Sequence, residues 1–147
     1  MMTSELASKV NGYLANIGVS YIKLHNLHWN VQGHAFKPVH EYLESLYEAL
    51  AGVLDEVAEL LKMDDKAPLA SMKEYLAAAT ISELESVGIR NKEALRIVLA
   101  DLEHLKGQAE ELRKGAIAED HYALQSMIEG HLGHYAKNIW FIRSMMK

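Results

Sequence analysis

The chain has 147 residues, half of them hydrophobic and 24% charged, with eight His, two Pro and no Cys. A single domain of that size buries an adequate core unaided, and the lack of Cys excludes disulfides and thiolate metal sites while fitting a reducing compartment such as the cytoplasm. Twenty acidic against fifteen basic residues leave a net charge of −5, a poor start for a phosphate binder.

The opening MMTSELASKV lacks the basic-then-apolar order of a signal peptide, and no apolar run is long enough to span a membrane. Leu6, Val10, Tyr13, Leu14, Ile17, Tyr21 and Leu24 then recur at three- and four-residue steps, the stripe of an amphipathic helix. VQGHAFKP breaks it, with Gly33 available as a C-terminal cap and Pro38 suited to the first turn of the next helix. The second helix is predicted from about Pro38 to Met63, with Leu43, Leu46, Leu50, Leu54, Val57 and Leu61 in phase. Roughly twenty-five residues follow before the next apolar stripe, too many for an ordinary bundle turn. Ser71-Met-Lys-Glu74 and Thr80-Ile-Ser-Glu83 both read as capping boxes there, so a short extra helix is expected in the connection. The third long helix carries Leu95, Val98, Leu102, Leu105, Ala109 and Leu112 and is predicted to stop at Gly115. The fourth carries Leu124, Ile128, Tyr135, Ile139, Ile142 and Met146.

With no repeat, linker or low-complexity stretch, residues 1–147 read as one all-α domain. A long connection between helices two and three is a crossover that lets them run parallel, as in ferritin-like four-helix bundles.

Chemistry-bearing residues crowd the first half: His25, His28, Trp29, His34, His40, Glu41, Glu44, Glu48, Asp55, Glu56 and Glu59. With His40 at zero on a wheel of ~100° per residue, Glu44, Asp55 and Glu59 fall at about 40°, 60° and 100°, roughly 120° from the centre of the apolar set. Ala51 and Ala58 share that stripe and leave room for another helix. Yet Glu44 and Asp55 are roughly 16 Å apart along one helix at ~1.5 Å per residue, whereas metal ligands bind at about 2 Å. Either the two ends belong to different sites, or two copies of the helix pack antiparallel across a two-fold axis and share one. His28 continues the inward stripe of the first helix, and a short hairpin brings it to His40. Imidazole with carboxylate suits iron, zinc or manganese, and open mixed N and O positions favour redox iron.

Plainer readings stand beside this. A His on an apolar stripe is usually a packed core residue, Glu41, Glu48 and Glu56 read as a solvated face, and Trp29 alone reads as packing. On the last helix His131 is expected to pack, with His121 and His134 at the surface. No Glu has a His three places on, and Asp101-Leu-Glu-His104 is a single weak copy of that spacing, so a di-iron centre held within one chain is not expected. There is no Cys, Gly-x-Ser-x-Gly or phosphate-cradling Gly loop to carry nucleophilic or phosphoryl chemistry.

The run Lys23-Leu-His-Asn-Leu-His28-Trp29-Asn, then Gly33-His-Ala-Phe-Lys-Pro-Val-His40-Glu41, then Leu54-Asp55-Glu56-Val-Ala-Glu59 closely resembles the Dps mini-ferritins. The likeness extends over nearly the whole chain to Lys137-Asn-Ile-Trp140. It implies a hollow dodecamer that oxidises Fe(II), preferentially with hydrogen peroxide, and stores the ferric product inside. It further implies iron centres at two-fold interfaces, with His28 and His40 from one subunit and Asp55 and Glu59 from the other. Glu44 stands where the family usually carries Asp and reaches one carbon further. Trp29 resembles the family's Trp beside the centre, where it absorbs stray oxidising equivalents.

DNA-binding members use a mobile, Lys-rich tail, but Lys9 is the only basic residue among the first twenty-two. With net −5 per subunit, weak or absent DNA binding is expected at physiological salt. Two rivals remain: a Dps-like protein holding zinc or manganese, and a metal-free or DNA-compacting helical scaffold.

Overall fold

The computed structural model describes residues 1–147. Four long helices form the bundle: α1 (Ser4–Asn30), α2 (Phe36–Met63), α4 (Asn91–Ala118) and α5 (Tyr122–Met145). The short α3 (Met72–Ala78) lies in the crossover between α2 and α4. The predicted apolar stripes become one continuous core, with only Tyr21, Leu54 and Met146 left half-buried. No helix is long and apolar enough to cross a membrane.

Thr3 caps α1 by accepting the Leu6 N–H. The helix runs on past Leu24 to Asn30, so His25, His28 and Trp29 are all helical. Its end is Val31 rather than Gly33, because residues 31–32 turn extended and pair as β1 (Val31–Gln32) with β2 (Ile89–Arg90). Gly33 takes φ +133°, a backbone region L side chains rarely adopt, and redirects the chain into α2. That helix starts two residues ahead of Pro38, which sits in the first turn where its missing N–H costs nothing. The β1–β2 pair is parallel. It ties the start of α4 to the start of α2, so these two helices run in the same direction, as the crossover predicted.

α2 and α4 end alike. Asp65 and Asp120 adopt left-handed φ values of 56° and 52°, and the Lys66 and His121 N–H groups reach back to the Leu61 and Ala116 carbonyls. Gly115 is therefore not the stop. It lies inside α4, where a side-chain carbon would come 2.8 Å from Leu6 Cδ1, and its smallness seats α1 instead.

Of the two expected capping boxes, only the first starts a helix. Ser71 accepts the Glu74 N–H, and Glu74 accepts from Ala70 N–H and the Ser71 hydroxyl. At the second, buried Asn16 accepts the Thr80 and Ile81 N–H groups at 2.8 and 2.9 Å and donates to the Thr80 hydroxyl. These bonds pin the segment against α1 in a non-helical form. The Tyr75 ring of α3 packs onto Gly18, where a Cβ would lie 2.6 Å from it.

The middle of the bundle holds an ion pair. Lys23, 7% exposed, meets Asp101 at 2.7 Å beside a cavity of about 20 Å³ also lined by Ser20 and His134. Burial pushes the Asp101 carboxyl up, and Lys23 offsets only part of that rise. Asp101 is thus spent on Lys23 and His104 on Thr80, so the weak Asp-x-x-His spacing makes no centre. His134 is half-buried against this interior, with its pKa lowered by burial and then by the charges of His131 and Lys137. His121 also departs from the surface position expected of it. Its Nδ1 caps α5 by accepting the Leu124 N–H, while its Nε2 donates to Asp64, which also accepts the Met2 N–H at 2.6 Å.

Candidate metal centre

The α1–α2 hairpin brings His28 and His40 face to face, ring centroids 3.7 Å apart and planes 11° from parallel. Each Nδ1 lies 2.6 Å from the other residue's backbone carbonyl. A carbonyl oxygen only accepts, so both Nδ1 atoms carry a hydrogen, and in the neutral imidazoles both Nε2 atoms keep a lone pair. Neither Nε2 is engaged in a hydrogen bond within the chain. Donation from the far ring nitrogen is the usual way an imidazole ligand is oriented and its tautomer fixed.

Glu44 is the acid nearest this pair, with Oε1 3.9 Å from His28 Nε2. Tyr47, one turn further on, donates to that oxygen at 3.3 Å and sets its ring edge against His28. Its phenol is raised above the ordinary value, by burial first and then by the Glu44 charge and hydrogen bond. The aromatic wall continues through Phe36 stacked on His40 and His25 stacked on Tyr47. Tyr47 and Phe36 were missed at the sequence level, and His25, counted there among the chemistry-bearing residues, was not placed against Tyr47. The available signal was spacing: Tyr47 falls three places after Glu44, and His25 three before His28.

Asp55 and Glu59 are not brought to this cluster. Both are exposed on α2, eleven and fifteen residues beyond Glu44, roughly 16 and 22 Å along the axis at ~1.5 Å per residue. No three His, Asp or Glu side chains in the chain converge closely enough to hold an ion. Trp29 is 69% exposed rather than packed, and its ring lies 5.5 Å from His25. Glu41 and Glu48 are exposed as expected, but Glu56 is not simply solvated: it accepts a hydrogen bond from His131 Nε2. His131 is buried as predicted, in a polar network that periodicity could not reveal.

The chain matches the ferritin-like domain family over residues 7–147. It is 35% identical over 143 residues to antigen TpF1 of Treponema pallidum, spanning 97% of this chain and 80% of that protein. The crystal structure of a Dps protein from Bacillus brevis superposes with a TM-score of 0.94 at 31% identity, covering all of both chains. A Dps structure from Vibrio cholerae, described as one of the ferritin-like diiron-carboxylate proteins, gives 0.93 at 26% identity, covering 97% of this chain and 89% of that one. With a bundle, crossover and hairpin of this form, the chain belongs to the ferritin-like family, in its Dps group.

Proposed function

We propose that the chain is a ferroxidase and iron-storage subunit whose centres are completed only across a two-fold dimer. The observation that carries this reading is the locked His28/His40 pair. Two oriented lone pairs and Glu44 sit at one end of α2, with no further acid in reach, while Asp55 and Glu59 stand exposed on the same helix some three to four turns away. Antiparallel packing of two α2 helices over exposed Ala51 and Gly52 closes both gaps at once, since an isologous interface forms its site twice. Near-parallel imidazole planes cannot both aim at one ion, so the pair suits two adjacent ions, the spacing found in two-metal sites.

Fe(II) is the substrate. His28 and His40 hold it as neutral nitrogen donors, and Glu44 with the partner's Asp55 and the partner's Glu59 supplies hard anionic oxygens that favour Fe(III). Two Fe(II) and one hydrogen peroxide then give two Fe(III) and two water, with two protons consumed and no free hydroxyl radical. Trp29, exposed beside the cluster, gives up an electron when a stray equivalent escapes. The ferric product is stored inside a hollow dodecamer of two-fold dimers, in the reducing cytoplasm where Fe(II) persists. The net charge of −5 per chain leaves DNA binding weak or absent at physiological ionic strength, and a clear gel shift there would contradict this.

The test is anaerobic Fe(II) loading, peroxide addition and native mass measurement. The expected result is a dodecamer that gains iron and consumes two Fe(II) per peroxide. A His28→Ala/Asp55→Ala variant should keep the assembly and lose the oxidation. A metal-free dimer, or oxidation no faster than buffer, would sink the proposal. Tight zinc or manganese binding without iron oxidation would favour the other divalent-ion reading.

A further inference from the structure

Away from the hairpin, the bundle core carries a polar chain that the proposed iron site does not use. Tyr13 and Tyr135, each no more than 1% exposed, face one another across α1 and α5 through a short hydroxyl–hydroxyl bond. The Tyr13 hydroxyl lies 2.9 Å from His131 Nδ1, and His131 Nε2 meets the Glu56 carboxylate.

The direction of every bond in this chain follows from its last member. A carboxylate only accepts, so His131 Nε2 carries the hydrogen, and in the neutral imidazole Nδ1 then accepts from Tyr13. The Tyr13 oxygen in turn accepts from Tyr135. Donation therefore runs one way, from Tyr135 to Tyr13 to His131 to Glu56. A purely structural role needs only satisfied partners; a buried phenol beside an imidazole that is itself backed by a carboxylate is also built, when that imidazole is neutral, to lose an electron and a proton together.

We infer that Tyr13 is a one-electron redox site, with His131 as its proton acceptor and Tyr135 as the hydrogen-bond donor that stabilises the oxidised form. The oxidant is hydroxyl radical or another one-electron species made when Fe(II) meets peroxide. Tyr13 gives it one electron, hydroxyl radical becoming hydroxide. The phenolic proton moves along the existing bond to His131 Nδ1, leaving a neutral tyrosyl radical and an imidazolium against Glu56. A further Fe(II) returns the electron and becomes Fe(III), and the proton goes back to Tyr13. Burial, then the neighbouring Tyr135, holds the Tyr13 phenol well above its ordinary range, so direct loss of the proton without the electron is closed.

Placement ties the relay to iron. Glu56 directly follows Asp55 on α2, so the relay ends beside the carboxylate half that this subunit lends to its partner's centre. That link rests on the ferroxidase reading; the redox site itself does not.

Two measurements on the full-length assembled protein separate these, both in a Trp29→Phe background that removes the competing exposed donor. In the first, iron-free protein is oxidised by a flash-generated ruthenium photo-oxidant and read by high-field electron paramagnetic resonance. A long-lived, hydrogen-bonded tyrosyl signal is expected. It should be lost in Tyr13→Phe, shifted by loss of its hydrogen bond in Tyr135→Phe, and shortened in lifetime in His131→Gln. The latter two keep the inference testable if Tyr13→Phe fails to fold. No such signal, or one indifferent to all three changes, overturns the inference whatever the iron chemistry. In the second, freeze-quenched samples after Fe(II) and peroxide should show the same signal. Iron oxidation without it overturns the link to iron and leaves the ferroxidase proposal standing; no iron oxidation removes that link together with the ferroxidase proposal, and the iron-free measurement alone decides the redox site.

Discussion

A shared centre makes a quantitative prediction that a centre within one chain cannot. Take one variant lacking the imidazole half, His28→Ala/His40→Ala, and another lacking the carboxylate half, Asp55→Ala/Glu59→Ala. Because Glu44 lies 16 Å or so from Asp55 along α2 at ~1.5 Å per residue, the proposed shared centre assigns each half to a different centre of the dimer. Either variant alone has no intact centre. In a mixed dimer one centre inherits both damaged halves, while the other inherits both intact ones. Random pairing makes half the dimers mixed, and half of their centres work, so the mixture should recover about a quarter of wild-type oxidation. The assay is peroxide-driven Fe(II) oxidation after co-expression or joint dissociation and reassembly, with unshuffled mixtures as the blank. Recovery that stays at the blank would refute the shared-site reasoning, as would substantial activity in either variant alone.

Three further outcomes follow from the bundle. Asp101→Asn strands the buried Lys23 ammonium and should cost about 3–5 kcal/mol, whereas Lys23→Met/Asp101→Leu should be near neutral or stabilising. Denaturant midpoints at matched concentration test this, and additive single costs would count against it. Burial alone would raise Asp64, but the Met2 N–H, the His121 hydrogen bond and nearby positive charge hold it below its ordinary 3.8. Its contribution should therefore be full above about pH 4 and fade as pH falls through the lower folded value. The melting difference between wild type and Asp64→Asn, about 1.5–3 kcal/mol at neutral pH for a charged acceptor, should shrink below pH 4; a constant gap would disprove the link. Gly18→Ala drives a carbon into the Tyr75 ring and should cost about 1–3 kcal/mol. A Tyr75→Ala change in the same chain should relieve part of that loss, and hydrogen exchange over residues 72–78 would report it.

The apolar stripes were legible because core burial imposes the helical period on sequence, and all four long helices obey it. The crossover was legible from its length, and the carboxylate stripe from the wheel. Boundaries were less so. Gly115 reads as a stop, yet α4 passes through it because α1 needs the space, and two Asp residues accept the left-handed position instead. Thr80-Ile-Ser-Glu83 has the form of a capping box, but Asn16, sixty-four residues away, claims its backbone. The same blindness to distant partners hid Glu56–His131 and Lys23–Asp101. Identity and spacing predict which faces meet, not which polar groups pair across them.

The Lys23–Asp101 pair also has a consequence for the life of a single chain. It fills the space between the four helices where a bundle would otherwise keep ions to itself, and the acids of α2 are stranded on the outside. On the proposed shared centre, a newly made, unpaired subunit is then catalytically mute toward Fe(II) and peroxide. On that proposal reactivity should rise with the square of chain concentration at high dilution, as copies find one another, and the chemistry would be licensed by the same encounter that begins to enclose its product.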